Sequence, residues 1–111
     1  MDDEYAIEIY FKPLESMNDS DKLVYSLILD EQNDLNKTAQ KYIYKIVGKN
    51  NPLLVEELEP LYINVYVNKG NYIIFLHYTS ESDQDMEWKV KFLFSSFDKK
   101  FRPVEFTRGV R

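Results

Sequence analysis

The sequence predicts an α+β domain: an antiparallel sheet of four or five strands with one or two helices packed on one face. Three observations carry that expectation. Met86, Trp88, Val90, Phe92 and Phe94 alternate with Glu87, Lys89 and Lys91, the period of a half-buried strand. Two runs of similar period, Leu61 to Val67 and Tyr72 to Tyr78, flank Asn68-Lys69-Gly70-Asn71 and predict a hairpin. Between residues 20 and 48, apolar side chains recur at helical spacing.

The elements follow in chain order. Tyr5, Ile7, Ile9 and Phe11 alternate with Glu8, Tyr10 and Lys12, so a first strand ends at Pro13. Leu23, Val24, Leu27 and Ile28 form a helical stripe behind a cap at Asp19 or Ser20. Leu23, Tyr25, Leu27 and Leu29 also alternate as in a strand. Ala39, Ile43 and Val47 recur at i+4, with Gly48 placed as a C-terminal cap, yet this stretch is rich in Tyr and β-branched residues. The alternative is therefore an all-β meander in which 22–30 and 39–48 form a second hairpin. Leu53 to Leu58 reads as a short helical turn ended by Pro60. In the 61–67 strand, Ile63, Val65 and Val67 share one face and Tyr62 and Tyr66 the other. In the next, Ile73, Phe75 and His77 oppose Tyr72, Ile74, Leu76 and Tyr78. Gly70 supplies the positive φ of the tight turn. After a turn at Asp98-Lys99-Lys100, Phe101 to Thr107 reads as an edge strand, because Pro103 removes a ladder donor.

The 111 residues suit one domain, 1–111, since two cores of half that size would each be marginal. Seventeen aromatic residues, nine of them Tyr, argue against disorder, and the absence of Cys excludes disulfides and thiolate metal sites. The net charge is −5 and unevenly spread. Residues 1–37 hold ten acids against three lysines; residues 89–111 hold seven cations against two acids. An acidic domain is repelled by phosphate backbones and anionic membranes, so neither nucleic acid nor membrane is an expected partner. MDDEYAIEIYF has acids where a secretory leader needs a basic segment and an apolar run, so a cytoplasmic location is expected.

Catalytic patterns are scarce. His77 is the one histidine, and its Ser and Asp neighbours (Ser80, Ser82, Asp83, Asp85) lie on a polar turn that would not fix a triad. Zinc would find a single nitrogen ligand. A calcium loop started at Asp83 reaches Trp88 where it needs Gly. Gly48, Gly70 and Gly109 build no phosphate loop. Glu8 on the first strand is the candidate for an inward-facing acid–base carboxylate. No cofactor and no metal is expected.

Three readings follow. The first is a non-enzymatic acidic binding module, an inhibitor or immunity-type protein that neutralises a basic protein partner such as a toxin nuclease. That reading is an analogy of composition: small, acidic, Tyr-rich and free of motifs. Its expected contact residues are Asp30, Glu31, Asp34, Glu81, Asp83 and Asp85, flanked by Tyr62 and Tyr66, because Tyr gives rigid amphipathic contact area. The second is a ligand-binding or enzymatic domain with a pocket between sheet and helix near His77, Trp88 and Phe92. The third is a homodimer or larger homo-oligomer joined through an edge strand or the Tyr face.

Overall fold

The computed structural model describes residues 7–50 and 52–110. Its order is strand β1 (Glu8–Tyr10), helix α1 (Asp19–Ile43), short helix α2 (Pro52–Glu56), then strands β2 (Leu58–Asn68), β3 (Asn71–Ser80), β4 (Met86–Ser95) and β5 (Lys100–Val110). The sheet runs β1-β2-β3-β4-β5. One helix packed on a five-stranded, mostly antiparallel sheet is the α+β architecture expected, and the all-β alternative is excluded. The departure is β1, which pairs parallel to β2, with Glu8 opposite Tyr62 and Tyr10 opposite Asn64. A parallel neighbour needs a long crossover, and α1 supplies it. Tyr5 of the expected first strand lies outside the described residues.

Segment 19–43 is a single 25-residue helix, continued by a π-helical turn over Tyr44–Gly48. No Gly or Pro interrupts residues 19–47, and the stripe Val24, Ile28, Leu35, Ala39 and Ile43 stays buried along the whole length. The strand-like alternation loses because Leu23 and Leu29 point to solvent. The cap is Asn18, one residue earlier than expected. Its Oδ1 accepts the Asp21 N–H at 2.8 Å, and Asp21 Oδ2 accepts the Asn18 N–H at 3.1 Å. This reciprocal box needs a carboxylate three residues on, which Asp21 provides. Gly48 is not a left-handed cap either. Its lack of a side chain admits the Tyr44 ring, whose Cδ2 would lie 2.3 Å from an added Cβ.

The helix stripe packs on Ile63, Val65, Ile74, Leu76, Trp88, Val90 and Phe92, which face it from β2, β3 and β4. Burying side chains of this size stabilises by roughly 1.5–3 kcal/mol each. Two polar bonds fix how the layers seat. The Tyr72 hydroxyl donates to Asp21 Oδ1 at 2.6 Å, and the Tyr78 hydroxyl donates to Asn36 Oδ1 at 2.6 Å. Lys12 Nζ reaches Asp21 Oδ2 at 2.8 Å. Lys12 and Tyr72 hold the Asp21 carboxyl below its ordinary pKa although it is only 1% exposed. Burial and Asp21 together push Tyr72 up to about 12.

The β2–β3 hairpin turns on Lys69 (φ 53°) and Gly70 (φ 81°), two consecutive left-handed residues whose twist matches that of the strands. The helical turn expected over Leu53 to Leu58 is α2, which ends at Glu56, so Leu58 and Pro60 belong to β2. The register slips between Pro60 and Tyr62, an irregularity of the kind at which a strand accommodates a proline. β5 is the far edge, as Pro103 implied, with its own register shift opposite Lys91 and Phe92.

Candidate functional site

The structure separates the expected contact residues into three places. Asp30 and Asp34 are exposed on α1, with Glu31 half-buried beside them. Tyr62 and Tyr66 lie on the sheet face that α1 leaves open, with Tyr66 exposed. Glu81, Asp83 and Asp85 occupy the β3–β4 connection, where Glu81–Asp83 forms a 3-10 turn.

Asp83 is engaged within the chain. Its Oδ2 accepts the Trp88 indole N–H at 2.6 Å, and both oxygens accept from Arg108 at 2.8 Å. Its side chain is 13% exposed, and the Arg108 guanidinium holds its carboxyl below the usual range. The residue fastens the connection to β5 and satisfies a buried donor.

Glu81 and Asp85 instead join acids that the sequence reading did not single out. Together with Glu56, Glu57 and Glu59 they line a cleft of about 1240 Å³, floored by Leu58 and bordered by Thr79, Gln84 and Val110. Five carboxylates and no cation line it among the described residues. They come from α2 and its C-terminal edge, the start of β2, and the β3–β4 connection. Glu57 Oε1 accepts from Ser80 Oγ at 3.3 Å and from the Ser82 N–H at 3.2 Å, and the Ser82 side chain, with these two donors, holds its carboxyl ionised to lower pH than usual. Those two bonds tie the end of α2 to the end of β3 and to the β3–β4 connection. The run Glu56-Glu57-Leu58-Glu59 was the available signal; nothing in its spacing shows that it folds beside residue 81.

The open sheet face carries a second cluster. His77 is 6% exposed although, among the described residues, no helix covers it. The Tyr62 ring stacks on it at 4.2 Å. His77 Nδ1 lies 3.0 Å from Glu87 Oε2, and Nε2 lies 3.1 Å from Asn64 Nδ2. With the amide so oriented, Nδ1–H donates to Glu87 while Nε2 accepts from Asn64, which defines a neutral imidazole. Burial lowers the His77 pKa, outweighing the opposing pull of Glu87. Tyr62 Oη also donates to Glu87, at 3.1 Å. Both ring nitrogens are thus engaged, and no unbonded nitrogen is left to take a proton from a substrate. Trp88 and Phe92 face α1 on the other side of the sheet, since His77 pairs with Lys89 and Tyr78 with Trp88. A single pocket holding His77, Trp88 and Phe92 is therefore ruled out by the pleat. Glu8 is exposed and accepts from the Tyr10 hydroxyl at 2.9 Å, so it is not an inward-facing carboxylate.

Among the described residues, no group of three or more His, Asp or Glu is arranged to hold a metal ion, and no helix is long and apolar enough to cross a membrane. No family model, curated protein or solved structure matches the chain.

Proposed function

We propose that the protein is a non-enzymatic binding module that docks a basic segment of a protein partner in the acidic cleft, in the manner of an inhibitor or immunity-type protein. The observation that carries this reading is the cleft lining itself: Glu56, Glu57, Glu59, Glu81 and Asp85 with no opposing cation among the described residues. Carboxylates gathered in a concavity focus their field and speed the encounter with a cationic surface. Leu58 and Val110 add apolar contact to the same cleft. A toxin nuclease is one kind of partner with the required charge.

The test is capture from the native lysate on immobilised wild type and, in parallel, on the Glu81→Lys/Asp85→Lys double variant. The expected result is a basic protein retained by wild type, released by moderate salt and absent from the variant eluate. Equal retention by both columns would remove the cleft from the interface.

A further inference from the structure

We infer that the open face of the sheet is a self-complementary surface that binds a second copy of this chain, sheet against sheet, about a two-fold axis parallel to the strands and centred on β3. Among the described residues, the sheet is layered by α1 on one side only, yet its other side is not the polar surface such a position ordinarily carries. Tyr10, Tyr62 and Tyr66 from β1 and β2, Ile73 and Phe75 from β3, and Leu93 from β4 form a contiguous apolar patch. Tyr10, Tyr66 and Leu93 are exposed at 51%, 52% and 43%. A patch of this kind marks an interaction surface.

The arrangement of charge across the patch selects the occupant. In the rows from Tyr62 to Leu93, the β1–β2 half offers aromatic rings and one acid, Glu8, and no cation. The β4–β5 half offers Lys89, Lys91 and Arg102; Lys91 lies 3.9 Å from Glu105 and Arg102 pairs with Asp98, which leaves Lys89 as the cation available to a ring. The central strand β3 contributes Ile73, Phe75 and His77, whose ring is held neutral. A two-fold axis along β3 lays the aromatic half of one copy on the cationic half of the other. By the observed register, Tyr62 then faces Lys89 of the second copy, Tyr66 faces its Leu93, and Phe75 and Ile73 meet their own equivalents. An axis perpendicular to the strands would instead set lysine over lysine. The chain already makes this type of contact internally: Lys89 Nζ sits 5.0 Å from the Phe75 ring centre, an attraction that strengthens when water is excluded. Aligned sheets pack about 10 Å apart, a gap these side chains fill. Glu81 and Asp85 lie in the β3–β4 connection, outside the rows of the contact.

Sedimentation of the purified protein between about 1 μM and about 1 mM tests this directly. The expected species is twice the 13.3 kDa of one chain. Tyr66→Lys and Leu93→Glu, at exposed positions that leave the fold intact, are each expected to sediment as monomers. Mixed in equal amounts they should dimerise again, because the new Lys and Glu meet across the axis while the other Tyr66–Leu93 contact is native. Wild type that stays at 13.3 kDa throughout overturns the inference. So do variants that dimerise as wild type does, or a mixture that remains monomeric. Glu81→Lys/Asp85→Lys, which tests the cleft, should leave this dimer unchanged, so the two readings fail separately.

Discussion

Asp83 shows how one side chain serves as a fastener. Two partners from different strands converge on it, Trp88 from β4 and Arg108 from β5. Replacing it with Ala leaves the indole N–H of a fully buried Trp without an acceptor. The expected cost is about 2–3 kcal/mol, read by chemical denaturation, with a change in Trp88 emission. Its carboxyl is held low by Arg108, so its contribution is complete above the ordinary carboxylate range and is lost as pH falls below about 4. His77 behaves in the same sense at a higher pH. Its folded value lies below the ordinary 6.5, so the unfolded chain takes up the proton first. The stability it adds is present above that ordinary value and is lost as pH falls through the folded one. An NMR titration of the His77 ring should give a midpoint below 6.5. The loss of stability between about pH 7.5 and about pH 5 should be smaller in His77→Gln.

At the scale of elements, α1 depends on its start. Asn18→Ala removes one half of the capping box and should cost about 1 kcal/mol, measured as a lowered denaturation midpoint with unchanged slope. The elements were unequally legible in the sequence. β2 to β5 stood out because alternation such as Met86 to Phe94 has no helical equivalent, and because Gly70 marks its turn. Residues 20–48 carried both periods, since Tyr and β-branched side chains suit either backbone. What decides between them is a stripe of buried residues reaching from Val24 to Ile43, visible as one stripe only when both halves are read as a single helix. The parallel pairing of β1 had no local signal, because alternation alone does not tell a strand's direction. The cleft was half legible. Glu81 and Asp85 were named as acids on a turn, but their companions Glu56, Glu57 and Glu59 arrive through the packing of α2 against that turn.

The whole molecule keeps its two candidate surfaces apart. The cleft lies where α2, the start of β2 and the β3–β4 connection meet, and the aromatic patch lies across the middle of the open face. Ionic strength should therefore weaken them unequally. Docking in the cleft rests on carboxylates near water and should fall steeply with salt. The sheet-to-sheet contact rests mainly on apolar area and should change little. A salt series on both measurements checks this. The order of the strands also has a bearing on time. β2 to β5 are joined by short turns and pair with their sequence neighbours, so they close small loops first. Among the described residues, β1 joins the sheet through three residue pairs, with more than fifty residues between the partners, and its docking depends on α1. It is expected to be the last strand laid down and the first to open. In hydrogen exchange its amides should lose protection well before those of β3, through partial openings that leave the meander standing. The chain would thus hold, for part of its time, a bare edge on β2 beside Tyr62, and that edge would have the shape of a vacancy for an extended segment.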